Sequence, residues 1–515
     1  MVQSTGSTAN LVALDLGAES GRAILGRFDG ERLSLSEVHR FPNGPVPVPA
    51  RDGRVSLHWD VLRLWGEVLQ GIAMAAREGP LAGIGVDTWG VDFGLLNRDG
   101  RLIGSPYHYR DSRTDGMLAE AFSRVPRASI FEQTGIQFLQ INSLYQLLAM
   151  ALARAPELET AATLLPMPSL FNYWLTGRAA CEFTIATTTQ CYDPRRETWA
   201  RPLLEALDFP TGIFGEIIPA GTILGPLQPS LADDRWDTGL ANVSDVLGPV
   251  PVIAPASHDT GSAVAAVPAK GHDFAWISSG TWSVMGAEVR KPVITPHSLA
   301  HDFTNEGGVG GTFRLCKNIT GLWLLQECRR TWASQGEPRS YAEWTEMAAG
   351  ASPFFCVINV DDPAFASPGD MPERIRAYCR RTGQPVPEEK GALVRCILEG
   401  IALKYRLVLE RLEETLGRRL EPIHIVGGGT QSRLLSRFTA DATGREVITG
   451  PVEATAAGNI LVQAVALDLL GSYADAREVV RNSFDVLVFE PGPAGGWDEA
   501  YARLAELIKG EAEVV

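Results

Sequence analysis

One pattern constrains this chain more than any other. A short apolar run, a turn of small residues and a second apolar run occur near the start and again past the middle. Leu11–Leu16 leads through Gly17-Ala18-Glu19-Ser20-Gly21 into Ala23–Phe28, and Phe274–Ser278 leads through Ser279-Gly280-Thr281 into Trp282–Met285. Apolar runs of this length, bounded by Gly and Ser, predict strands joined by tight turns. In the first copy Asp29-Gly30 signals a further hairpin into Arg32–Phe41, and Pro42 to Pro49 reads as a loop. Asp60 then caps a helix bearing Val61, Trp65, Val68, Leu69 and Ile72, and the buried strand Leu81–Asp87 precedes a strand Val91–Leu96. The second copy is preceded by a strand, Val250–Ala254, and a helix, Asp259–Val267. Three strands, a helix and a strand do not make the strand–helix alternation of a doubly wound dinucleotide fold. A duplicated plan instead predicts two α/β domains flanking a central cleft. The expected limits are 1–248, 249–482 and a C-terminal tail at 483–515, with the boundary in the Pro/Gly/Asp-rich stretch between Gly225 and Pro251.

Further on, Ala392–Leu416 has apolar residues at helical spacing, and Pro422–Val426 reads as a strand ending in Gly427-Gly428-Gly429. Leu434–Thr439 and Glu453–Leu470 read as helices. A net charge of −15 sets the chain against nucleic-acid backbones and anionic membranes. There is no basic segment ahead of Arg22 and no apolar run of ~18 residues, so neither a targeting signal nor a membrane span is expected. Seven cysteines without a C-x-x-C pair suit reduced thiols, hence a cytoplasmic setting.

Several segments carry candidate chemistry. The turn Gly17 to Arg22 can aim backbone N–H groups at phosphate oxygens, with Asp15 placed to hold Mg²⁺, or it is an ordinary hairpin. Gly280-Thr281 can clamp a polyphosphate from another side. Gly427-Gly428-Gly429 lets adenine or ribose approach the backbone, or is a plain strand–helix turn. No G-x-x-x-x-G-K-[ST] occurs, which excludes a P-loop. In Ser257-His258-Asp259-Thr260-Gly261, Asp259 is either a helix N-cap or a general base for a substrate hydroxyl. Asp87-Thr88-Trp89-Gly90-Val91-Asp92 ends a strand with two acids, suited to sugar hydroxyls or hydrated Mg²⁺, and with a Trp face that either covers a sugar or lies in the core. His297 and His301 are four apart, but Ser298 stands where H-E-x-x-H has Glu, and Pro296 suggests a loop.

These residues resemble the FGGY carbohydrate kinases. Leu14–Arg22 (LDLGAESGR) is similar to that family's first phosphate motif, Trp276–Ser283 (WISSGTWS) to its second, and Ile425–Gly429 (IVGGG) to its adenosine motif. Gly85–Phe93 (GVDTWGVDF), Tyr109–Thr114 (YRDSRT), Gly135–Phe138 (GIQF), Ser257–Thr260 (SHDT), Asn305–Gly308 (NEGG), Lys317–Gln326 (KNITGLWLLQ) and Gly450–Ala454 (GPVEA) narrow the resemblance to one branch, in order from Leu11 to Leu470. The resemblance implies two actin-like (ribonuclease H-like) ATPase domains and transfer of a phosphoryl group from MgATP to the 1-hydroxyl of a ketose, L-rhamnulose. A kinase for another ketose, such as L-fuculose, and an actin-like ATPase without a sugar acceptor are the rival readings. By the same resemblance Asp259 is the catalytic base, and Ala18, Glu19, Ser20, Gly21, Arg22, Gly90, His258, Thr260 and Asn318 lie at the substrate. Thr281, Gln326 and Gly428 contact the nucleotide, and Asp15 and Asp87 serve Mg²⁺, through water or directly. Glu19 departs from the small residue of some members. Asn142-Ser143-Leu144-Tyr145 replaces a Lys/Trp pairing of sister kinases, in keeping with the branch. The implied partners are the ketose and ATP, with no nucleic acid and no membrane.

Overall fold

A computed structural model describes residues 8–51, 53–232, 249–493 and 495–512. The chain forms two compact units that interleave in sequence. Residues up to 266, 288–315 and 454–483 make the first, and 267–287, 316–453 and the C-terminal residues from 484 make the second. The boundary expected at 248/249 abuts residues 233–248, which lie outside the described residues.

The first unit is built on a six-stranded sheet. Its order is Thr222–Pro226, Pro251–Ala254, Leu81–Thr88, Ala9–Leu16, Ser20–Phe28, Leu33–Pro42. Ala9–Leu16 pairs antiparallel with Ser20–Phe28 and parallel with Leu81–Thr88, which pairs parallel with Pro251–Ala254. Val12, Leu14, Leu16, Ile84 and Val86 are buried with Leu64, Val68 and Ile72 of the helix Val61–Ala76. Asp60 caps that helix, its Oδ1 accepting the Arg63 N–H at 3.3 Å. The helix Ala454–Ala466, distant in sequence, packs against the helix Asp259–Ala265 and the strand Ala9–Leu16. Gly458 permits this, because a Cβ there would lie 1.8 Å from the Ser262 carbonyl oxygen.

The second unit repeats the local plan. Ala275–Ser279 pairs antiparallel with Trp282–Val289 and parallel with Ile423–Val426, which continues to Val447–Thr449. The long helix Lys390–Leu416 is buried along most of its length. The tail belongs to this unit, for Val488–Phe489 pairs with Val447–Thr449 and the helix Trp497–Ala512 anchors through Asp498 to Arg406 at 2.7 Å. Among the described residues no helix is long and apolar enough to cross a membrane.

Three local expectations are corrected. Pro45–Pro49 is a strand, paired antiparallel with Val55–Trp59. Prolines at alternate positions of a two-stranded ribbon turn their missing N–H groups outward, so no ladder bond is lost. Pro296–Ala300 is a short helix rather than a loop. Pro296 occupies the first turn, where proline is favoured, and Thr295 and Ser298 form a capping box. The strand expected at Val91–Leu96 begins only at Phe93, since Val91 has φ of 68°.

Close approach of helices through Gly458 predicts a signed pair of substitutions. Gly458→Ala should lower unfolding stability by about 1–3 kcal/mol. Gly66→Ala, in an exposed helical position with nothing near its Cβ, should raise it by about 0.5–1 kcal/mol. Urea unfolding of both variants checks the signs.

Candidate active site

Strand register assembles the first cluster. Asp15 and Asp87 are direct partners on parallel neighbours, and Thr88 bridges to His258 one strand further. Asp15 pairs with Arg22 at 2.5 Å. Asp87 is fully buried. Its Oδ2 accepts the Asn459 amide at 2.5 Å, and its Oδ1 has no hydrogen-bond partner among the described residues. Burial first, and then the Asp15 charge, push the Asp87 carboxyl well above the usual carboxylate range. An orphaned, buried carboxylate oxygen beside a second carboxylate is a donor set that a hard divalent cation satisfies, so these residues fit Mg²⁺.

Asp259 is not the helix cap. His258 holds that position, without a side-chain capping bond, and Asp259 is the first helical residue. Asp259 Oδ1 accepts the Thr260 N–H at 2.5 Å and the Thr260 hydroxyl at 3.0 Å, and lies 3.3 Å from His258 Nε2. The hydrogen bonds thus fall on one carboxylate oxygen of a side chain that is 31% exposed. Behind this segment, the buried Glu182 accepts the Ser257 N–H at 3.0 Å and the Thr184 hydroxyl at 2.6 Å, and Thr184 Oγ1 accepts the His258 N–H at 3.1 Å. Burial raises Glu182 to about 7 against the pull of these bonds.

The turn before Arg22 is closed by Gly17 N–H to Ser20 O at 3.0 Å. Asn43 braces it, donating from its backbone to Glu19 O and from its amide to Gly17 O. Glu19 itself is exposed. Next to Gly90, Val91 is held in the left-handed region by donation to Thr188 Oγ1 at 3.2 Å and by Ser143 donating to its carbonyl at 2.5 Å. A β-branched residue in this region is strained and persists only where its surroundings impose it. The structure favours the core reading of Trp89, which is 4% exposed and donates to Asp92 Oδ2 at 3.0 Å. Asp92 also accepts from Trp59, the Tyr109 N–H and Gln146, and burial lifts it to about 6.

The second unit assembles another group from three distant segments. Thr281 Oγ1 accepts the Gln326 amide at 3.0 Å, and the carbonyls of Gly280 and Thr281 accept the N–H groups of Leu322 and Trp323. Gly429 lies against the turn, since a Cβ there would sit 2.0 Å from Ser279 Oγ, whereas Gly428 is exposed with open space beside it. Thr281, Gln326 and Gly428 therefore come from segments that the fold brings together. Asn318 lies on Phe313–Thr320 within this unit, whereas Ala18 to Arg22, Gly90, His258 and Thr260 belong to the first.

Sequence reasoning missed Asn43, Glu182, Glu306, Arg314 and Asn459. Each acts through a partner remote in sequence, and only Glu306 fell within a motif noted for another reason.

Family models for the N-terminal and C-terminal domains of the FGGY family of carbohydrate kinases match residues 10–264 and 275–467. The chain is 43% identical over 501 residues to a rhamnulokinase of Bacteroides thetaiotaomicron, covering 97% of this chain and 99% of that protein. It is 38% identical over 481 residues to one of Oceanobacillus iheyensis, covering 93% and 97%. Among solved structures it is similar to a ligand-bound xylulose kinase from Lactobacillus acidophilus, with TM-score 0.77, 16% identity and 98% of each chain covered. It is also similar to Plasmodium falciparum glycerol kinase with ADP, with TM-score 0.75, 15% identity and 98% of each chain covered. These structures show the two-domain kinase fold.

Glu182 generates a pH prediction. Its folded carboxyl lies above the ordinary Glu value, so its contribution to stability is complete below about pH 4 and is lost as pH rises through about 7. The slope of stability against pH between 4.5 and 7 should be more positive in Glu182→Gln than in wild type, by up to about 1.4 kcal/mol per pH unit. Urea titrations across that range measure it, whatever the offset from altered hydrogen bonding.

Proposed function

We propose that this chain, which belongs to the FGGY family of carbohydrate kinases, phosphorylates the 1-hydroxyl of L-rhamnulose with MgATP in rhamnose catabolism. Its likeness to the rhamnulokinases along nearly its whole length supports the choice of ketose. The chemistry rests on one observation: Asp259, its Oδ1 already hydrogen-bonded, stands at the strand ends that carry Asp15 and Asp87.

Phosphoryl transfer needs positioning and charge neutralisation more than covalent participation by the protein. Asp259 Oδ2 takes the hydroxyl proton as the sugar oxygen bonds to the γ-phosphorus and the bond from that phosphorus to the β,γ-bridging oxygen breaks. Ala18 to Arg22, Gly90, His258, Thr260 and Asn318 position the ketose. Thr281, Gln326 and Gly428 receive the nucleotide. Asp15 and Asp87 are the residues to hold Mg²⁺, which when bound neutralises charge on the phosphate oxygens. All seven cysteines are buried thiols, in keeping with a cytoplasmic reaction.

ADP release measured against L-rhamnulose, L-fuculose, L-ribulose and D-xylulose should give the highest kcat/KM for L-rhamnulose. A higher value for any other ketose overturns the substrate assignment. Asp259→Asn should lower kcat by a factor of roughly 10²–10⁴ while leaving KM for ATP and thermal stability close to wild type. A folded variant turning over at the wild-type rate removes Asp259 from the role of base.

A further inference from the structure

The residues behind His258 carry an inference about how the base is prepared. His258 Nδ1 lies 3.1 Å from Arg314 Nη2 and 3.3 Å from Glu306 Oε2, and His258 Nε2 lies 3.3 Å from Asp259 Oδ1. Arg314 is completely buried, pairs with Glu306 at 3.0 Å and donates through Nε to the Gly307 carbonyl at 2.7 Å. All four residues belong to the first unit.

We propose that Arg314, with Glu306, is a positioning element that fixes His258 as the neutral tautomer protonated on Nε2, so that His258 donates to Asp259 Oδ1. A guanidinium has only donors, so a ring nitrogen at hydrogen-bond distance from it must accept. That leaves the single ring proton on Nε2, facing the carboxylate. Glu306 would favour the opposite tautomer by accepting from Nδ1–H. Its charge is instead met by Arg314, 3.0 Å from Glu306 Oε2, and that oxygen has no hydrogen-bond partner among the described residues, Nδ1 included.

Function follows from the count of donors on Asp259. Thr260 N–H and Thr260 Oγ–H donate to Oδ1, and in the proposed tautomer His258 Nε2–H, 3.3 Å away, faces the same oxygen. The carboxylate plane is thereby fixed, and Oδ2 is the oxygen that accepts the hydroxyl proton. The ring gains and loses no proton in the step. The role of Arg314 in turnover rests on the proposed role of Asp259, but the tautomer is a property of the unliganded protein and can be read independently of catalysis.

The direct test is ¹⁵N NMR of the histidine-labelled full-length protein at neutral pH, with His258 identified by the resonances missing from His258→Gln. Nδ1 should be unprotonated and Nε2 protonated. An Nδ1–H tautomer or an imidazolium overturns the proposal, whatever the kinase activity. The kinetic test uses Arg314→Met, which leaves Glu306 as the polar neighbour of Nδ1 among the described residues and should reverse the tautomer. It should lower kcat by about 10- to 100-fold with KM for ATP within about twofold of wild type. Where that variant folds poorly, Arg314→Met/Glu306→Gln supplies a neutral pair whose amide can again donate to Nδ1. This double variant should show the wild-type tautomer and recover kcat to within about tenfold of wild type. A double variant that folds but keeps the reversed tautomer, or a folded Arg314→Met with unchanged kcat, overturns the positioning role.

Discussion

Two carboxylates on neighbouring parallel strands repel each other, and much of the first unit is organised around holding them. Register puts Asp15 beside Asp87, and neither can swing away without breaking the sheet that carries it. Arg22, one strand over, neutralises Asp15. Among the described residues Asp87 receives only an amide, from Asn459, and Asn459 is held in turn by Gln463, whose amide also donates to the Val12 carbonyl. Delivering these amides requires the helix Ala454–Ala466 to lie close to the strand ends. Gly83, Gly85 and Gly458 clear the path, because a Cβ at any of them would meet a neighbouring atom at under 3.0 Å. The bare backbone of these strands is therefore a condition for the acidic cluster, and not merely a weakness in the sheet.

The loop after Asp87 shows how strain is contained. Val91 adopts a conformation costly for a β-branched residue, and its N–H and C=O are both bound by side chains from elsewhere, Thr188 and Ser143. Immediately beyond, Asp92 gathers the indole N–H groups of Trp59 and Trp89, whose rings lie 3.9 Å apart. A buried carboxylate with this many donors has exchanged its hydration for fixed dipoles, and it pins both ends of the loop around Gly90.

The elements legible in the sequence were those whose signals are local. Apolar runs bounded by small residues marked the paired strands in both units, and Gly427-Gly428-Gly429 marked the turn after Ile423–Val426. Asp259 stood out because a single acid lies where a buried strand gives way to a helix. What was not legible depends on partners far along the chain. Asn459 meets Asp87 across most of the sequence, and Glu182 reaches the backbone of Ser257 through tertiary folding alone. Neither leaves a periodicity or a spacing to detect. Pro45–Pro49 was obscured for the opposite reason: composition favoured a loop, and only the one-sided exposure of an edge ribbon makes those prolines compatible with pairing.

In the proposed reaction, the same strand ends would give two acids different tasks through environment alone. Asp87 is enclosed, short of hydrogen-bond partners and repelled by Asp15, so its anionic form needs a cation to be stable there. Asp259, one strand further and partly open to solvent, has donors concentrated on a single oxygen. A carboxylate so arranged is oriented without being saturated, and its second oxygen keeps the capacity to bind a proton. Exchanging the two environments would undo both roles. A solvated Asp87 would lose the unmet demand that the proposed divalent ion would satisfy, and an enclosed Asp259 would have no open oxygen to offer the hydroxyl. The proposed division of labour would thus come from the depth of the strand ends and the reach of the helix Ala454–Ala466, features of the fold rather than of the acids themselves.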